Sequence, residues 1–171
     1  MFLSSIGIVH FAASVISLAS GTLVLRKSKG TKAHRQLGYL YTVSMLIVLT
    51  TSFMLYRLHG TFGILHWFAV ISSLTLLCGI IPMFLKRPNG YLKLHLSFMY
   101  WSVIGLYCAF FAEVLTRIPF ILKLDKNILT IFYLLVGAAT AIVGGLGSVY
   151  FRKHKDSWIH MVDNFEKKSE K

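Results

Sequence analysis

The sequence is short of charge. Only 14% of its 171 residues are Asp, Glu, Lys or Arg, against 56% hydrophobic residues, and a water-soluble domain of this length does not carry so much apolar surface. Cysteine is nearly missing: Cys78 and Cys108 form neither a CxxC pair nor a disulfide framework and read as apolar core thiols. A glycine-rich phosphate loop, a serine-elbow motif and HExxH are absent, which removes the usual signatures of nucleotide binding, acyl hydrolysis and zinc proteolysis. No basic residue precedes the first apolar run. That run begins almost at Met1 and is longer than a signal-peptide core, so it reads as a retained helix.

What the sequence has is long apolar runs. Five segments, near 3–25, 37–57, 62–85, 95–116 and 128–150, are each long enough to cross a bilayer as a helix. Short connections make consecutive helices antiparallel neighbours. The expected fold is an all-α integral membrane protein with a transmembrane domain over 1–151. Within it stand a hairpin over 3–57, a second hairpin over 62–116 and a helix over 128–150, the hairpins forming a four-helix bundle with the fifth helix beside it. A basic cytoplasmic tail follows over 152–171, whose DSWIHMVDNF stretch suits either a surface amphipathic helix or a solvated tail.

The net charge of +12 invites a nucleic-acid partner, but its distribution argues against one. Arg26, Lys27, Lys29, Lys32 and Arg35 lie in the first connection, Lys86, Arg87 and Lys93 in the third, and Arg152, Lys153, Lys155, Lys167, Lys168 and Lys171 in the tail. Fourteen of the eighteen basic residues thus fall on one side, and only Arg57, Arg117, Lys123 and Lys126 on the other. This is the positive-inside pattern of a multi-pass plasma-membrane protein with its N-terminus outside and its C-terminus in the cytoplasm. The implied partners are the bilayer and anionic lipids at the cytoplasmic face.

Four of the seven histidines are ordered. His10 in GIVHF and His66 in GILHW lie near the outer ends of spans 1 and 3. His34 in KAHRQLGYLY and His95 in KLHLSFMYWS open spans 2 and 4, and each precedes a tyrosine by five residues, Tyr39 and Tyr100. The spacing suggests two copies of one hairpin, with an outer histidine pair and an inner one. His10 shares a narrow face with Ser14, Ser17 and Gly21, which is expected to point into the protein. His34 shares a face with Gly38 and Tyr41. Glu113 lies in span 4 with Arg117 four residues on, an i, i+4 ion pair.

Three readings stay open. In the first, His10 with His66 and His34 with His95 ligate heme b at two depths, making a membrane redox protein with a quinone or other electron partner. In the second, His10, His66 and Glu113 hold zinc or iron, or carry protons, in a membrane enzyme or carrier. In the third, the histidines are structural and no cofactor is bound; His59, His154 and His160 are read this way throughout. Tyr39, Tyr41, Trp67, Tyr100 and Trp101 read as aromatic belts. Gly137, Ala141 and Gly145 form a small-residue face on span 5, suited to close packing on the bundle or on a second copy of the chain.

At KGTKAHRQLGYLY the chain resembles the bacterial membrane-protein family catalogued as domain of unknown function 2306. The resemblance rests on His10, on the Lys29–Gly30–Thr31–His34–Gly38–Tyr41 run, on His66 and His95, and on the stretch from Ala112 to Pro119, and it covers about residues 7–119. It implies the helical fold and the choice of histidines. Many relatives carry a Pro–Gly–Arg run where this chain reads LTRIP, so no role for Arg117 is carried over. The plan of four helices and four histidines, one pair per side, also resembles transmembrane diheme cytochromes b.

Overall fold

The computed structural model describes residues 4–55, 62–87, 89–121 and 128–169, without the side chains of 120 and 165–169. Arg57, His59, Lys123, Lys126 and Lys171, and the side chains of Lys167 and Lys168, lie outside the described residues. The described chain is all α, without a strand: α1 (Ser5–Arg26), α2 (Lys32–Met54), α3 (Ile64–Leu85), α4 (Tyr91–Ile121) and α5 (Ile128–Ser169). All five are long and apolar enough to cross a membrane, as the hydropathy pattern predicts.

Several boundaries differ from expectation. Helix α2 begins at Lys32 rather than 37. Helix α4 begins at Tyr91 rather than 95 and runs through a buried Pro119 to Ile121. Helix α5 does not stop near residue 150, where the apolar pattern ends, but continues to Ser169. No glycine or proline interrupts residues 149–169, and the segment has apolar side chains to bury, so the basic tail is a continuation of the helix.

The chain divides into two compact units, Met1–Leu77 and Cys78–Lys171. In the first, α1 packs against α2 along a seam of small hydroxyls, with Ser17, Ser20, Ser44 and Thr51 all buried. Ser17 Oγ donates to Ser44 Oγ at 2.8 Å, and Ser44 Oγ lies 2.8 Å from the Leu40 carbonyl. The reversal between the two helices is built from the KGT run. Lys29 Nζ donates to the Val24 and Leu25 carbonyls at 3.1 and 3.0 Å, satisfying acceptors that the end of α1 leaves open. Gly30 takes φ +77°, a left-handed turn that glycine adopts without a Cβ clash. Thr31 is the N-cap of α2, its hydroxyl accepting the His34 N–H at 3.1 Å.

In the second unit α4 packs on α5 through rings and glycines. Tyr100, 2% exposed, donates its hydroxyl to the Gly147 carbonyl at 2.7 Å. Tyr100 also lies 5.0 Å from the Phe151 ring and 5.6 Å from the Trp158 ring. Lys93 Nζ pairs with Asp163 at 2.7 Å. Residues 151–163 are therefore folded against the first turns of α4. Tyr41, with no exposed surface, and Tyr100 are core residues rather than belt residues, whereas Tyr39 and Trp67 are 68% and 56% exposed, as a belt requires. The Gly137–Ala141–Gly145 face does not touch α4: all three are exposed, and nothing lies within 4 Å of a Cβ built at either glycine. It is Gly147 that meets α4, where an added Cβ would stand 2.8 Å from Ile104 Cγ2.

Candidate functional site

The four histidines occupy four different hydrogen-bond settings, and the partner atom in each case bears on where the ring proton sits. His95, half-buried on α4, has Nδ1 2.8 Å from the Gly79 carbonyl on α3. A carbonyl only accepts, so Nδ1 carries the hydrogen and the neutral ring keeps its lone pair on Nε2. The absent side chain at Gly79 permits this approach: a Cβ there would lie 2.9 Å from Met99 Sδ and 3.3 Å from the Met99 backbone nitrogen.

His10, half-buried on α1, has Nδ1 2.9 Å from Thr51 Oγ1 on α2. That hydroxyl also lies 2.6 Å from the Ile47 carbonyl and 3.0 Å from the Val48 carbonyl. Its single hydrogen goes to these carbonyls, so it receives Nδ1–H from His10. His10 therefore also keeps its lone pair on Nε2.

His66 is built the other way. The Gly63 backbone N–H donates to His66 Nδ1 at 3.1 Å, and the His66 N–H donates to the Gly63 carbonyl at 3.0 Å. This is the reach-back half of a capping box, with imidazole in the place of the usual Glu or Gln three residues into the helix. Because Nδ1 accepts, the neutral ring carries its hydrogen on Nε2, which is buried. The ring is 8% exposed and stacks at 5.0 Å on Phe62.

His34 stands in the first turn of α2, held through its backbone by Thr31 and with its Nδ1 buried. It belongs to the first unit and His95 to the second; His10 and His66 share the first, while Glu113 lies in the second. Glu113 forms its ion pair with Arg117 as the sequence predicts, and the two side chains are 41% and 67% exposed. No group of three or more His, Cys, Asp or Glu side chains able to hold a metal occurs among the described residues. His154 and His160 lie on α5 in local contacts with the Tyr150 carbonyl and with Asn164.

Outside the membrane spans, burial pushes the Lys29 ammonium below its ordinary value. The sequence reading missed Thr51, Gly79 and Gly63 as partners. A backbone carbonyl or N–H carries no residue signature, so only His10 and Thr51 had a readable clue, both being polar residues within apolar runs.

No curated protein and no solved structure matches the chain. The family described as predicted membrane protein (DUF2306) matches residues 7–148, a span that holds all four ordered histidines and the KGT turn. The chain belongs to that family.

Proposed function

We propose that the protein is a membrane redox protein that binds heme b at an outer and an inner depth, with His10 the better-prepared ligand at the outer depth and His95 at the inner one. The observation that carries this reading is the His95 Nδ1–Gly79 carbonyl bond at 2.8 Å. Ligating histidines characteristically donate one ring N–H to a carbonyl or hydroxyl, which sets the tautomer and turns the other nitrogen to the iron. His10 on Thr51 has the same arrangement. Bound heme supplies one-electron chemistry; the chain's residues hold and orient the ligand rings. His66 fits less well, since ligation through its Nε2 needs the Gly63 cap to open and the ring hydrogen to move to Nδ1.

The orientation with the N-terminus outside and C-terminus cytoplasmic, in the plasma membrane, is part of the same proposal, supported by fourteen of eighteen basic residues on one side. The zinc, iron or proton reading of His10, His66 and Glu113 has less support. Glu113 is engaged by Arg117, and the Ser17, Ser44 and Thr51 hydroxyl chains end on backbone carbonyls, which do not pass a proton on. A purely structural role is favoured by one observation, the His66 cap.

The test is an absorption spectrum of the protein purified in mild detergent. A Soret band that moves on dithionite reduction is expected, lost in His95→Ala and retained in His59→Ala. A protein that stays colourless after heme reconstitution overturns the heme reading, and elemental analysis that then finds no stoichiometric zinc or iron leaves the structural one.

A further inference from the structure

We infer that a cleft between α2 and α3 binds the ring of a lipid-soluble hydroquinone, with Thr50 and Ser73 accepting hydrogen bonds from its hydroxyl groups. Such a ligand is the class of electron partner that the heme reading calls for, while the site itself rests on α2 and α3 alone. The cleft has a volume of about 190 Å³ and lies wholly within the first unit. Leu46, Leu49 and Thr50 bring one face of α2 to it, at helical steps of three and four, and Ser73, Leu76 and Leu77 bring one face of α3. Leu49 and Leu76 are buried, whereas Leu46 and Leu77 are exposed, so the cleft is open along its rim. Ser73 stands about 13 Å along α3 from Ile64, well inside the apolar span, and a ligand reaches it through the bilayer.

The two hydroxyls select the ligand. Thr50 Oγ1 donates to the Leu46 carbonyl at 2.8 Å, and Ser73 Oγ donates to the Ala69 carbonyl at 2.8 Å. Each has a single hydrogen, which is thereby spent, and its oxygen can only accept from a ligand. The α1–α2 seam shows what such an oxygen takes up. Ser44, bonded back to Leu40, accepts the Ser17 hydroxyl, and Thr51, bonded back to Ile47, accepts Nδ1–H of His10. Among the described residues no donor reaches Thr50 or Ser73. An acyl chain has no donor to offer; a ligand with O–H groups does. Size sets the rest. An apolar cavity of roughly 150 Å³ holds benzene, so this cleft takes one substituted six-membered ring, and a lipid tail on that ring leaves by the open rim. A hydroquinone carries a hydroxyl at each end of its ring, and an acceptor stands on each of the two helices. The oxidised quinone has only acceptors and gains nothing from either oxygen.

The test reads binding directly, so that a failure of the heme reading and a failure of this one are told apart. Full-length protein in phosphatidylcholine nanodiscs is equilibrated without oxygen with decylhydroquinone or with decylbenzoquinone. The discs are repurified, and the retained ligand is extracted and counted against empty discs. Wild type should saturate at one hydroquinone per chain, with about tenfold weaker binding of the quinone. Thr50→Val with Ser73→Ala keeps the walls and removes both oxygens, and should bring the two forms to equal, weak binding. Leu46→Trp fills the cleft from its rim and should exclude both. Circular dichroism checks the helicity of each variant. Equal saturation of the wild type by the two forms, or a preference that survives Thr50→Val with Ser73→Ala, overturns the proposal in favour of a cleft filled by acyl chains. Uptake that matches empty discs overturns it in favour of simple partition into the bilayer.

Discussion

The two units solve helix association with different chemistry. In Met1–Leu77 the α1–α2 seam is made of serine and threonine hydroxyls, whose small side chains let the helices approach and whose hydrogens are shared between helices and local carbonyls. In Cys78–Lys171 the contacts of α4 use large rings set against glycines, with Tyr100 on Gly147 and His95 on Gly79. The first arrangement spreads its stabilisation over many weak bonds. The second concentrates it at two crossings where the missing side chain is as important as the present one. Sequence symmetry between His34 and His95, each five residues before a tyrosine, therefore hides a difference: Tyr39 is exposed and Tyr100 is core.

Substitutions at the crossings should break this contrast most strongly. Gly147→Val places carbon where Ile104 stands 2.8 Å away, and an overpacking cost of about 3 kcal/mol is expected, read as a lowered unfolding midpoint in detergent. Next comes the turn of the first unit. Thr31→Ala removes the cap of α2 and should cost about 1 kcal/mol, with Thr31→Ser restoring most of it. The seam itself should yield least per bond. A double-mutant cycle of Ser17→Ala and Ser44→Ala is expected to give a coupling near 0.6 kcal/mol; a value of several kcal/mol would erase the distinction between the units.

The smallest effect expected is a pH dependence at Lys29. Burial lowers its folded-state pKa from 10.5, so between the lowered value and 10.5 the unfolded chain binds the extra proton. Stability then rises as pH climbs through that window, and below it the desolvation penalty is present in full. The midpoint of wild type relative to Lys29→Met should drift upward as pH approaches 10.5, and a flat or falling difference would remove burial as the cause.

Much of the fold was legible because membrane helices declare themselves by length and hydropathy. The five spans, the buried face of Ser17 and Gly21, and the Glu113–Arg117 pair follow from periodicity. The end of α5 was not legible, since a polar, basic segment looks solvated until its partner helix is known. The KGT run was legible as a motif but not as a device: its lysine, glycine and threonine close one helix, turn the chain and open the next. The settings of His66 and His95 were hidden, because both are defined by backbone atoms of glycines.

His95 and Tyr100 lie five residues apart on α4, which on a helix puts them about 140° apart around the axis. One bonds to a glycine carbonyl on α3 and the other to a glycine carbonyl on α5. Together they act like two teeth of a key: neither rotation nor sliding of α4 can be changed at one without losing the other. A single residue inserted between positions 96 and 99 would turn one tooth by about 100° and shift it by about 1.5 Å. The length of that short segment is therefore fixed more tightly than the identity of most residues within it.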